Sequence, residues 1–144
     1  MIPIDDRIAI LEVIAQYSYT YDSLDADGFA KLFLEDARWE YYFSGKAEPE
    51  IKLTSRNEIR EWAAQRHEAR RGKFSSRHHQ SSTVFESSKE GLVVTKTMVL
   101  ITHQEFGDPH PVPTTSGEYH DLWKHTTDGW KLAQRILYTD LPGG

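Results

Sequence analysis

Apolar residues open the chain at helical spacing. Ile4, Ile8, Leu11 and Ile14 form a stripe, which Ile10, Tyr17 and Tyr21 widen. Asp22 follows Leu11 by about three turns at 3.6 residues per turn, so its carboxylate is expected on the buried stripe. Asp25 reads as the N-cap of a short second helix that turns Phe29, Leu32 and Phe33 inward and ends at Asp36. Residues 37–43, with Trp39, Tyr41, Tyr42 and Phe43, predict an aromatic strand. Gly45 to Pro49 is a loop. Ser55 and Glu58 have capping-box spacing for a third helix, with Ile59, Trp62 and Ala63 on its buried side. Arg70-Arg71-Gly72 supplies cations in the last turn and a stop.

From Lys73 onward the period changes to two. Strands are expected at about 74–87, 92–106, 115–126 and 130–138. Ser88 to Gly91 and Thr127 to Gly129 read as hairpin turns. The Pro-rich segment 107–113 reads as a loop that cannot be a central strand. Helices followed by an antiparallel meander predict an α+β fold, in which a curved, mainly antiparallel sheet wraps the helices. Its concave face would close a pocket with the first helix as one wall, and Asp22 points there.

The 144 residues suit one domain spanning 1–144. The formal net charge is −5 with no basic face, which argues against a nucleic-acid partner. There is no cysteine, so disulfides and thiolate metal sites are excluded. Acidic residues at positions 5 and 6 argue against a signal peptide. No apolar run approaches the roughly 18 residues of a membrane helix. The expectation is a soluble, cytoplasmic protein with no membrane partner. Aromatic residues make up 12 % of the chain, which suits an aromatic-lined pocket and equally an aromatic core.

The chemistry-bearing candidates are Asp22, His78 and His103. Burying a charge is costly unless it is paired or kept for reaction, and an Asp and a His facing one pocket make a proton-transfer pair. Alternation places His78 with Ser76 and Gln80, and His79 on the opposite face. At most one of the two histidines faces the pocket, and pattern alone leaves the choice open. His103 shares a face with Thr95, Thr97, Val99 and Ile101. His67, His110 and His125 read as surface residues. His78, His103 and His120 with Asp22 would be the only metal set, but no His-x-His or His-x-x-x-His spacing supports it. No phosphate loop, nucleophile elbow or dinucleotide fingerprint is present, so neither metal nor cofactor is expected.

The order helix, Tyr21-Asp22-Ser23-Leu24-Asp25, short helix, Asp36-Ala37-Arg38-Trp39, strand, Arg77-His78-His79, hairpin, Asp128-Gly129-Trp130-Lys131 resembles a SnoaL-like domain of the nuclear-transport-factor-2-like superfamily. The likeness spans nearly the whole chain, and among enzymes it resembles the scytalone dehydratase family. That resemblance implies a cone-shaped α+β barrel and places the family's first catalytic histidine at His78. It places the second at His103, within Thr102-His103-Gln104, and the catalytic strand tyrosine at Tyr41. Bile-acid dehydratases of the same superfamily use a matching Asp–His pair and have a pocket tyrosine at the position of Tyr17. The family's pocket Ser and Asn fall at Glu118 and His120, and Tyr21 and Trp39 are further substrate-binding candidates. The family's C-terminal covering segment has no counterpart before Gly144, so the pocket chemistry is expected to be shared and the substrate to differ.

The function expected on this basis is a cofactor-independent lyase of the dehydratase type. It would act on a small cyclic or polyketide-like substrate through Asp22, His78, Tyr41 and His103. The alternatives are an isomerase or polyketide cyclase of the same fold, and a non-catalytic small-ligand-binding module. The resemblance also implies a homo-oligomer, a dimer or trimer joined through the outer sheet face.

Overall fold

The computed structural model describes residues 1–143. Its elements run α1 (Ile4–Asp22), α2 (Ala26–Ala30), β1 (Phe33–Ser44), β2 (Ile51–Leu53), α3 (Arg56–Arg70), β3 (Phe74–Lys89), β4 (Leu92–Glu105), β5 (Val112–Thr126) and β6 (Gly129–Pro142). One six-stranded sheet has the order β2-β1-β6-β5-β4-β3. Every neighbouring pair is antiparallel except β1 with β6. The α+β class is therefore as expected. No helix among the described residues is long and apolar enough to cross a membrane.

Local signals explain most boundaries. Asp25 accepts the Gly28 N–H at 2.9 Å, and Ser55 accepts the Glu58 N–H at 3.1 Å. The Glu58 carboxylate returns to the Thr54 N–H at 2.7 Å, one residue before the cap. Between β3 and β4, Glu90 and Gly91 both have positive φ, 46° and 78°. That is the two-residue turn whose twist matches a hairpin.

Several boundaries differ from expectation, β3 running on to Lys89 and β6 to Pro142 among them. The second helix stops at Ala30, because the Leu32 carbonyl accepts the Leu132 N–H at 2.9 Å and Phe33 pairs with Leu132. Pairing with a distant strand overrides local helix preference there. The short strand β2 was not expected, and it pairs Ile51 with Tyr41. Strand β5 begins at Val112 and includes Pro113, which pairs with Thr102. Pairing of β5 with β6 begins only at Gly117, so the missing Pro113 N–H faces an open edge.

The first helix is rotated from the expected stripe. Ile10, Ile14, Tyr17 and Tyr21 are buried, whereas Ile4, Ile8 and Leu11 are exposed. Asp22 is nevertheless buried, because α1 runs along the free edge of β3. Ser18 Oγ donates to the His78 carbonyl at 2.8 Å. Gln80 Nε2 donates to the Ile14 carbonyl at 3.0 Å and to Ser18 Oγ at 2.7 Å. Nearer the helix start, the Arg7 guanidinium lies over the Phe85 ring.

A buried ion pair crosses the inner face of the sheet. Arg135 Nε and Nη2 donate to Asp121 Oδ1 and Oδ2 at 2.8 and 2.9 Å, and both side chains are 0 % exposed. The guanidinium lies under the rings of Tyr17 and Tyr119, 4.2 and 3.7 Å from their centroids.

Candidate active site

Strand β3 turns His78 inward, and α1 ends beside it. Asp22 Oδ1 lies 2.7 Å from His78 Nδ1. The same oxygen accepts the Ser76 hydroxyl at 2.7 Å, and Oδ2 accepts the His78 backbone N–H at 2.8 Å. The Asp22 and His78 side chains are only 6 % and 8 % exposed. Behind them, Arg70 donates to Ser76 Oγ and to the carbonyls of Tyr21 and Asp22, the last two at 2.9 and 3.1 Å. Burial alone would raise the Asp22 pKa. The hydrogen bonds and charge of His78, with the Ser76 hydroxyl, outweigh it and hold the pKa below its usual value. Asp22 is thus a carboxylate near neutrality. A proton on Nδ1 directed at that carboxylate leaves Nε2 of His78 as the basic nitrogen.

His78 lines a cavity of about 480 Å³ whose wall is rich in aromatic side chains. Tyr17, Tyr21, Trp39, Tyr41 and His103 all line it, so the structure brings together seven of the nine candidates once Asp22 is counted behind His78. Tyr17 is 2 % exposed and its hydroxyl accepts Trp39 Nε1–H at 3.0 Å, which leaves the phenol proton for another acceptor. Burial raises the Tyr17 pKa despite Arg135 beneath the ring, so it stays a neutral donor. The Tyr21 ring meets His78 edge-on at 5.0 Å, and its hydroxyl accepts Arg66 Nε–H at 3.0 Å. Trp39 packs at 4.5 Å on Trp62 of α3. Tyr41 is half-buried, edge-on to Phe43. His103 pairs across the strands with Ser76 and stacks on Phe74 at 4.5 Å. Burial, then the charges of Arg70 and His78, lower its pKa, so at pH 7 it offers a neutral imidazole.

Glu118 and His120 do not belong to this cavity. They lie on the outer sheet face, where Glu118 Oε1 is 3.6 Å from His120 Nε2 and His120 meets Tyr138 edge-on at 4.7 Å. Alternation explains the correction, because Tyr119, Asp121 and Trp123 occupy the inner face of β5 and are buried. With His120 outside, the facial set with His78 and His103 does not form. Among the described residues, no group of three or more His, Asp or Glu is arranged to hold a metal ion. His79 also faces outward, with Nε2 3.2 Å from Thr102 Oγ1.

Several lining residues were not anticipated, chiefly Tyr119, Trp62, Arg66, Arg70 and Ser76. His67 is likewise buried rather than at the surface, 1 % exposed beneath the Tyr21 ring at 4.7 Å. The spacing 59, 63, 67, 70 is one helix face, so its polar end was legible. Burial, with Arg70 and Arg71 nearby, pushes the His67 pKa down to about 4 from 6.5. A folded value below the unfolded one means that the unfolded chain binds the proton better. Stability is then complete above pH 6.5 and falls as pH drops towards 4. The loss attributable to His67 should reach about 3 kcal/mol. Urea unfolding at pH 7 and near pH 4 should show His67→Leu losing less than the native chain. An equal loss would contradict this assignment. His103 contributes with the same sign, and the comparison of the two proteins subtracts it.

The SnoaL-like domain family matches residues 3–136. No curated protein matches the sequence. Among solved structures, ActVI-ORFA from Streptomyces coelicolor superposes with a TM-score of 0.85 at 19 % identity, covering 99 % of this chain and 100 % of that one. Aln2 from another Streptomyces strain gives 0.83 at 16 % identity, covering 97 % and 94 %. A Novosphingobium aromaticivorans protein provisionally named scytalone dehydratase gives 0.76 at 23 % identity, covering 96 % and 89 %. At these identities the structures establish a shared fold. The chain belongs to the SnoaL-like domain family.

Proposed function

We propose that this SnoaL-like domain is a cofactor-independent hydro-lyase that removes water from a small cyclic, aromatic or polyketide-like molecule. The observation that carries this reading is the ionised Asp22 carboxylate on Nδ1 of His78 at the wall of an aromatic cavity. His78 Nε2 takes a proton from the carbon next to a substrate carbonyl, and Asp22 stabilises the imidazolium that forms. The carbonyl oxygen gains negative charge, and Tyr41 and Tyr17, which both line the cavity, donate hydrogen bonds to it. The electron pair then forms the carbon–carbon double bond as the β-hydroxyl departs. The proton held by His78 leaves with that hydroxide as water. His103, neutral at pH 7, donates a hydrogen bond to the leaving oxygen.

The provisional name of the Novosphingobium relative supports the same class of reaction. An isomerase or cyclase would use the same base, so the mass balance discriminates. Purified protein should be incubated with a panel of cyclic β-hydroxy ketones in the presence of a chelator. Loss of one water from a panel member, unaffected by chelation, is the expected result. A product of unchanged mass would replace the lyase by an isomerase or cyclase. Chelator-sensitive turnover would overturn the metal-free mechanism.

A further inference from the structure

Helix α3 brings two arginines to the cavity wall, and the dehydration chemistry uses only one of them. Arg70 is 5 % exposed and braces the dyad through Ser76 and two carbonyls, while its buried Nε has no partner. Arg66 stands one turn earlier at the mouth. Its Nε is fixed on the Tyr21 hydroxyl at 3.0 Å, and its guanidinium lies over the Trp62 ring, 5.2 Å from the centroid. Trp62 is itself packed against Trp39. Among the described residues neither arginine is in a salt bridge, a condition shared by Arg7, Arg38 and Arg77, none of which lines the cavity, whereas Arg56, Arg60, Arg71 and Arg135 are each paired. Asp22 is committed to His78, and Glu50 is the one acid lining the cavity, on the β2 side.

An arginine held by both a stacking partner and an Nε bond loses little further side-chain entropy on binding an anion. Its Nη groups remain free as a planar fork that matches a carboxylate. A guanidinium over the Trp62 ring, beside a cavity rich in aromatic side chains, favours a ligand that is flat and anionic at once. We propose that Arg66 anchors a carboxylate, and that the substrate is therefore an aromatic or polycyclic acid. This rests on the reading of the cavity as a substrate site and adds a charge to the substrate class.

The test compares 2-naphthoate with its neutral isostere 2-naphthamide, binding being followed by quenching of the fluorescence of Trp39 and Trp62. Naphthoate should bind about tenfold more tightly to the native protein, a modest preference because Arg66 is partly open to solvent. Arg66→Gln should bring the two affinities together, and Arg66→Lys should keep part of the difference. His78→Ala should preserve the preference, so the anchor is tested independently of turnover. Equal affinities in the native protein, or no binding of naphthoate, would overturn the anchor while leaving the base intact. So would a preference that survives in Arg66→Gln.

Discussion

Replacing His78 by Ala should lower turnover by about two to four orders of magnitude, the usual worth of a positioned general base. Asp22→Asn should cost nearly as much. The amide carries no charge to stabilise the imidazolium, and its N–H₂, which only donates, must face either the Ser76 hydroxyl and Nδ1–H now on Oδ1 or the His78 backbone N–H now on Oδ2. His79→Ala is the matched control. It lies one residue away on the outer face, so its turnover should stay within a factor of a few of the native rate. Steady-state rates of the three variants on one substrate, with circular dichroism to confirm folding, decide the matter. If His79→Ala is the inactive variant, the base is not the imidazole on Asp22.

The largest stability effect is expected at the buried ion pair. Asp121→Leu leaves the Arg135 guanidinium fully enclosed with no counter-charge, and breaking such a pair costs about 3–5 kcal/mol. The double variant Asp121→Leu/Arg135→Leu removes both charges and should be markedly more stable than the single one. That rescue separates loss of the pair from loss of packing, because the double variant departs further from the native side-chain volumes. The double variant should still enlarge the cavity floor, since Arg135 supports the rings of Tyr17 and Tyr119 from below. Urea titration of the three proteins checks the order. An Asp121→Leu variant within about 1 kcal/mol of the native chain would mean that water reaches the guanidinium.

The meander was legible because each hairpin is local and its turn residues announce it. The β1–β6 pairing was not, since parallel neighbours far apart in sequence leave no local mark. The dyad was half legible. Periodicity placed Asp22 inward, although the helix face that supports it is rotated from the one inferred, and Asp22 is buried because the helix ends on β3. Between His78 and His79 the alternation was silent, as both faces of that strand carry Ser and His. Only the family resemblance chose between them. On β5 the resemblance pointed to Glu118 and His120, but the buried Tyr119, Asp121 and Trp123 put the inner face one residue out of phase with them. Arg70 read as a cation capping the end of its helix, because nothing in a single helix reveals that its tip points inward onto another element.

The docking of α1 along β3 bears on how the protein fails as well as on how it works. At one margin of the sheet the last strand, β2, has only three residues and offers little to a second chain. At the other margin β3 has sixteen, and its unpaired backbone groups around His78 are occupied by Ser18 and Asp22 instead of a neighbouring strand. Further along, breaks in register after Ser81 and Phe85 roughen the same margin. The opening helix therefore acts as a sheath over a template for intermolecular β-pairing. Lesions that loosen it, including fusions that pull on the amino terminus, would surface first as self-association and lost solubility, before any global melting.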